Sequence, residues 1–265
     1  MKLGVIISTY NNPAWLEKTL WGYMCQKRMA DEIIIADDGS TSETRRLINT
    51  FDDKLPIKHV WHEDNGFQKT KILNEALRVS KSEYLVFSDQ DCIPRNDFLL
   101  THERHARVGH FLSGGYFKLP IDISKRLTQE DINSQRAFSL RWLKEQSLSW
   151  NFKCTKLVKA SWFTSMMNTI TPTKATWNGM NSSGWREDIV KARGFDERMK
   201  YGGEDCELGE RLMNAGIKAV QIRYLAIMLH LDHDRPYENE EHWRINNSIE
   251  ETTRRMKLTR TEYGL

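Results

Sequence analysis

Four cysteines in 265 residues, Cys25, Cys92, Cys154 and Cys206, lie far apart and form no CxxC pair. Neither a zinc-site spacing nor a disulfide framework is therefore offered, and a reducing compartment suits the chain. Long apolar runs are missing too. Nothing approaches the roughly 18 residues of a membrane span, and the opening "MKLGVIISTYNN" breaks early at polar residues. These absences set the expectation of a cytosolic protein that keeps its first residues. No glycine-rich phosphate loop follows "VIIS", and no repeat or low-complexity segment recurs. The net charge of +3 is too small and too dispersed to call for nucleic acid.

What the first third does contain is alternation. Short β-branched runs, "LGVIIS", "EIIIAD", "IKHVW" and "EYLVFS", are separated by helical patterns at Pro13 to Tyr23, Ser42 to Phe51 and Lys69 to Ser80. Such alternation predicts βαβ units and an α/β fold with a mostly parallel sheet. The nearly all-apolar strands fit a sheet covered by helices on both faces. Ligands bind such sheets at the carboxyl ends of the strands. There the chain places "STYNN", "DDGST" and "SDQDC", three polar clusters expected to share one mouth.

Asp89 and Asp91 sit two apart, so on a continuing strand they would face one side, and at a strand end both could reach one ligand. Two carboxylates this close repel unless a positive group lies beside them, and a hard divalent cation holding phosphate oxygens would resolve the conflict. A solvated turn is the plain alternative. In "GGEDCELGERL", two glycines precede Glu204 and Asp205 at the start of a helix whose buried stripe holds Leu208 and Leu212. Ordinary helix capping would also place acids there. "HLDHD" sets His230 and His233 three apart after an apolar run. On a turn both imidazoles could meet one metal, whereas on an extended strand only one would.

Taken in order, "VIISTYNN", "IIIADDGST", "EDNGFQKTKILNEAL", "EYLVFSDQDCIP", "GMNSSGWREDIVKARGFDE", "YGGEDCELGERL" and "HLDH" resemble the family 2 glycosyltransferases of the GT-A fold. The resemblance is greater to the subgroup whose C-terminal half looks like that of the β-1,4-galactosyltransferases and bacterial chondroitin polymerases. It implies inverting transfer of a sugar from a nucleotide donor, usually a UDP-sugar, to a hydroxyl, with Mn²⁺ or Mg²⁺ as cofactor. Carried over by position, Thr9, Tyr10 and Asn11 would line the nucleotide pocket and Asp38 would hold the base. Asp89 would contact ribose or the donor sugar, and Asp91 would bind the metal, with His233 and then His230 as later ligands. Asp205 would be the base and Glu204 would sit on a substrate sugar. Many members have an arginine where this chain reads "KTKILN", so phosphate contact would fall to Lys69 or Lys71. Asn181 and Trp185 stand where relatives touch donor or acceptor sugar. The implied organisation is a GT-A domain over residues 1–235, divided into a nucleotide-binding part (1–118) and an acceptor part (119–235), then a helical tail (236–265).

A nucleotidyltransferase and a noncatalytic sugar-binding protein on the same fold are the competing readings. The missing glycine-rich loop speaks against the first, and intact Asp91, Asp205 and His233 against the second. Between Arg136 and Lys159 the basic residues Arg136, Arg141, Lys144, Lys153, Lys156 and Lys159 face a single acid, Glu145, with Trp142 and Trp150 interleaved. This segment fits either a helical face packed on the core or peripheral contact with the inner, cytoplasmic face of a membrane, near a lipid-linked glycan acceptor. The tail, with Glu250 and Glu251 ahead of Arg254 and Arg255, has helical charge spacing compatible with docking, oligomerisation or membrane contact.

Overall fold

In the computed structural model, which describes residues 1–159, 161–171, 173–233 and 239–265, the apolar runs of the first third become strands. They are β1 (Leu3–Thr9), β2 (Glu32–Asp37), β3 (Ile57–Trp61) and β4 (Tyr84–Asp89). Between them lie α1 (Pro13–Met24), α2 (Ser42–Asn49) and α3 (Lys69–Val79). Helix α1 starts where the pattern demands: Asn12 accepts from the Trp15 amide at 3.4 Å, and Pro13 fills a position whose N–H has no helical partner.

The chain continues through β5 (Cys92–Pro94), α4 (Phe98–His105), β6 (His110–Ser113) and β7 (Gly115–Lys118). The basic aromatic middle folds into α5 (Ile121–Arg126), α6 (Gln129–Asn133), α7 (Leu140–Glu145) and α8 (Ser161–Ile170), with 3₁₀ turns at Arg136–Phe138 and Phe152–Leu157. Then come β8 (Ser182–Trp185), α9 (Arg186–Lys191), α10 (Glu204–Asn214), β9 (Lys218–Gln221), β10 (Ile227–His230) and α11 (Glu240–Met256).

Seven strands form one sheet in the order β3-β2-β1-β4-β8-β6-β9, parallel except where β8 runs against β4 and β6. All of β1 is buried, and its side chains divide by parity. Leu3, Val5 and Ile7 pack with Leu16, Leu20 and Tyr23 on one face, while Ile6 packs with Ile34, Leu73 and Phe87 on the other. That two-sided burial, about 1.5–3 kcal/mol for each large apolar side chain, fixes the register.

A second sheet, β5-β10-β7, joins the first through the two residues between β4 and β5. Under it a third core gathers Ile93, Phe117, Phe138, Leu143 and Leu229, so the middle helices pack on the domain through their apolar faces. Trp177 is fully buried and Trp142 partly so, whereas Trp150 and Trp162 remain 63% and 71% exposed.

Of the three fates open to the tail, docking is observed. Helix α11 lies on α10, where Thr253 donates to Glu207 at 2.8 Å. The same Glu207 carboxylate takes the buried Arg211 guanidinium at 2.7 Å, one helical turn on, so the ion pair is shielded by the tail itself. Residues 234–238, the expected boundary, lie outside the described residues.

Candidate functional site

Strand β4 delivers Asp89 to the mouth and ends there. Gln90 and Asp91 turn the chain into the second sheet, so the two carboxylates do not continue one strand but serve different partners. Asp89 accepts from Ser8 Oγ at 2.5 Å and takes the Lys69 ammonium at 3.0 Å. Lys69, the first residue of α3, also lies 3.7 Å from Glu204. One cation thus links the end of β4 to the head of α10. Burial opposes its charge, but Asp89 and Glu204 outweigh that and hold the ammonium protonated, above the usual lysine range.

The head of α10 is shaped by glycine. Gly202 and Gly203 have φ of 101° and 87°, left-handed values that other residues rarely adopt, and Gly202 donates to Glu204 at 3.0 Å. Glu204 is 6% exposed, and burial pushes its carboxyl up to about 7 despite Lys69, with Asp205 adding to the rise. Asp205 accepts from the Gly179 amide at 2.8 Å and from its neighbour Cys206 at 2.8 Å.

Asp91 is buried at the seam of the sheets, where its chain carbonyl accepts from Leu231 at 2.8 Å. Its carboxylate faces His233 Nε2 at 2.8 Å and His230 Nε2 at 3.5 Å. The imidazole rings lie 5.8 Å apart and nearly parallel, at 20°. His230 ends β10 and His233 follows beyond the strand, so both rings reach the same carboxylate. Ligand atoms around one small dication with bonds of about 2.0–2.2 Å stand roughly 3 Å apart, and the two Asp91–imidazole separations, 2.8 and 3.5 Å, lie near that spacing. The donor set, one carboxylate and two imidazoles, is of the oxygen and nitrogen type that binds Mn²⁺ or Mg²⁺. These residues fit a divalent cation. Burial penalises the Asp91 charge, but His233 and His230 more than offset it and hold the carboxyl below its usual range. Cys92 lies with Asp91 and His230 in one group whose potential ligand atoms are all within 4.8 Å of one another. Its thiol is pushed well above normal by burial and by Asp91, so it stays protonated and donates to Asp91 at 3.3 Å rather than acting as a thiolate.

Across the mouth, Gln90 pins β1 to β4: its side-chain oxygen accepts from Thr9 Oγ1 at 2.5 Å and from the Tyr10 amide at 3.1 Å. Asn11, at φ 43°, donates through its backbone to Ser40 and accepts from Thr41, both at 2.9 Å. The three polar clusters are therefore tied together. Tyr10 stays 44% exposed at the rim and donates to Asp64 at 3.0 Å. Asp38 is buried between His62 (2.7 Å) and the Gln68 amide (2.9 Å), and burial raises its carboxyl above the ordinary value.

Three expectations are corrected. Asn181 does not reach the mouth: it is fully buried, donates to the Gly115 and Ala226 carbonyls at 2.8 and 3.0 Å, and meets His102 at 3.1 Å. It is a joint between the sheets, and glycine at 114 leaves it room. Trp185 pairs with Tyr84, at the opposite end of β4 from Asp89, about 16 Å along the strand, and donates to the Arg107 carbonyl at 2.9 Å. Lys71 is exposed on α3, while Lys69 points among the carboxylates. Gln90, His62 and Ser8 escaped sequence reasoning because only tertiary contact gives them a partner. Lys69 carried one signal, its place at a helix start in "KTKILN".

Comparison with known proteins follows the same lines. The model of the family described as "Glycosyl transferase family 2" matches residues 4–153, more than half of the chain. Validoxylamine A glucosyltransferase of Streptomyces hygroscopicus subsp. limoneus is 29% identical over 225 residues, covering 81% of this chain and 48% of that protein. Chondroitin synthase of Escherichia coli is 29% identical over 233 residues, covering 81% of this chain and 32% of that protein. The chain thus spans half or less of the length of these relatives. Among solved structures, S. aureus TarS 1-349 in complex with UDP-GlcNAc superposes with a TM-score of 0.63 at 16% identity, over 97% of this chain and 69% of that one. Mannosyltransferase PcManGT from Pyrobaculum calidifontis, in complex with GDP-Man and Mn²⁺, gives 0.59 at 19% identity, over 93% and 61%. At these identities the superpositions establish the fold, a GT-A architecture.

Proposed function

The chain belongs to glycosyltransferase family 2, and from that premise we propose that it is an inverting, metal-dependent enzyme moving a sugar from a UDP-sugar to a hydroxyl of a glycan or lipid-linked glycan. The observation that carries this reading is the meeting of the His233 and His230 imidazoles on the one Asp91 carboxylate, at 2.8 and 3.5 Å. The Asp89–Lys69–Glu204 chain links the β4 end to a second acidic group at the head of α10.

In this reading Asp91 and His233, with His230 behind them, hold Mn²⁺ or Mg²⁺, which when bound supplies Lewis-acid stabilisation of the departing diphosphate. Thr9, Tyr10, Asn11 and Asp38 hold the nucleoside, and Asp89 orients ribose or the donor sugar. Lys69 holds Asp89 in place through their ion pair. Asp205 takes the proton from the attacking hydroxyl as the bond to the anomeric carbon forms, a contribution of about 10²–10⁴-fold in rate. The two hydrogen bonds it accepts fix its orientation at the helix start. Glu204, partly protonated near neutrality, serves a sugar hydroxyl as donor or acceptor. In this reading attack and departure occupy opposite faces in a single displacement, so the anomeric configuration inverts.

The exposed Trp150, Phe152 and Trp162 and the surface cations Arg141, Lys144, Lys153 and Lys159 support peripheral contact with an anionic bilayer. No helix among the described residues is long and apolar enough to cross one. The reading as a whole is tested by presenting a panel of UDP-sugars with Mn²⁺ and recording UDP release and product anomer by NMR. Release from one donor with inverted product supports it, and retention of configuration refutes it.

A further inference from the structure

Beside the imidazole pair, but not in it, stands a group of cations that the reaction described above leaves unused. The 3₁₀ turn Phe152–Leu157 lies against β7, and its Lys156 ammonium donates to the Tyr116 carbonyl at 3.0 Å. The same ammonium sits 5.1 Å from the centre of the Tyr116 ring. That ring in turn lies 5.6 Å from the ring of His230. Arg223 reaches the same strand: its carbonyl oxygen and side-chain stem fill the space that any side chain at Gly115 would occupy. Residue 115 is glycine, and the missing side chain lets the Arg223 carbonyl and the base of its side chain approach the strand one residue before Tyr116.

What this group lacks, among the described residues, is an acid. There the charges acting on Lys156 are those of Arg223 and Lys153, both of its own sign. Lys118, further along the same strand, takes Asp232 at 2.8 Å, and Lys69 takes Asp89 at 3.0 Å. Lys156 is half-buried, and burial first, then Arg223 and Lys153, push its ammonium down to about 8. Like charges gathered in a partly desolvated place are unfavourable in isolation, and an incoming oxyanion with charge-assisted hydrogen bonds removes the conflict. The Tyr116 ring, 36% exposed, stands between these cations and the imidazoles. An anion held here would lie one aromatic ring away from the imidazole pair.

We propose that Lys156 and Arg223, with Lys153 at the rim, form an oxyanion site that receives a carboxylate or phosphate carried by the acceptor, so that the acceptor is an acidic glycan rather than a neutral one. The proposal rests on the donor site argued above and deepens it by giving the acceptor a chemical class. The cations act by positioning, holding the acceptor's charged group so that its hydroxyl meets Asp205.

The test is NMR of the full chain labelled with ¹³C at lysine Cε, the Lys156 signal being assigned through Lys156→Gln. Sodium glucuronate, inorganic phosphate and glucose are titrated separately, first on the free protein and then with UDP and Mg²⁺ bound. The Lys156 signal should move saturably with glucuronate, phosphate or both at concentrations on the order of 10 mM, and glucose should leave it in place. Response to glucuronate alone assigns a carboxylate acceptor and response to phosphate alone a phosphorylated one. Arg223→Ala should weaken the response at least about tenfold, with the remaining spectrum reporting that the variant is folded. Silence of Lys156 toward both anions overturns the proposal, and so does a response abolished by UDP–Mg²⁺, which would hand the cations to the donor. Calorimetry of UDP with Mg²⁺ on the same sample reads the donor site independently. Failure there, with Lys156 still responding, would count against the donor reading and not against the anion site.

Discussion

Asp91 and His233 lie more than half the chain apart in sequence, yet the carboxylate oxygen of one is 2.8 Å from the Nε2 of the other. The contact exists because the chain leaves β4, changes sheets within two residues and lays β5 against β10. Two neighbouring strands of one small sheet thereby bring an acid and two imidazoles together.

The first prediction concerns that point. Asp91→Ala and His233→Ala should each weaken Mn²⁺-dependent UDP binding by at least about 10–100-fold, the scale of losing support at a metal site. Binding measured without metal should change little. Calorimetry with and without Mn²⁺ checks this, and equal loss in both conditions would point to misfolding instead.

Asp205→Asn should retain UDP binding and lose transfer by about 10²–10⁴-fold in kcat. A normal kcat would remove Asp205 from the role of base. Glu204→Gln separates the two acids, since it should raise substrate KM while leaving a measurable kcat.

The buried Glu204 carboxyl also makes a stability prediction. Its folded pKa of about 7 stands above the ordinary 4.5, so the native state binds the proton more tightly than the unfolded chain does. The stabilisation this brings is complete below pH 4.5 and is lost as pH rises through 7. Urea unfolding between pH 5 and 8 should show that loss, on the order of 1–3 kcal/mol, in the wild type. Glu204→Gln should flatten the profile and gain relative stability at pH 8.

Lys69 and Lys71 look interchangeable in "KTKILN", but only Lys69 meets Asp89 and Glu204. Lys69→Met should lower kcat/KM by more than about tenfold, because two carboxylates then face each other without a cation. Lys71→Met should stay within about twofold, as for an exposed side chain. Parallel kinetics on the pair decide it.

How much of this was legible beforehand follows from the range of the interactions. The β1–β4 half was readable because all-apolar strands and amphipathic helices are written locally, residue by residue. The pairing of Asp91 with the imidazoles was visible only as two separate motifs, since a change of sheet after Asp89 leaves no local mark. Asn181 and Trp185 were misread for a related reason. A polar side chain that closes a buried joint, as Asn181 does with Gly115, Ala226 and His102, has the same letter as one that touches a sugar. Trp185 stands near the motif in sequence but at the far end of an antiparallel strand, and direction of run is not written in the residues.

The central claim, that a divalent cation is held by Asp91 and histidine imidazoles, is tested most directly by pulsed electron paramagnetic resonance of the Mn²⁺–UDP complex with ¹⁵N-labelled histidine. Hyperfine coupling to imidazole nitrogen, lost in His233→Ala or reduced to the contribution of His230, is the predicted result. A spectrum with no histidine nitrogen at the manganese, in a sample shown to bind UDP, would contradict the account.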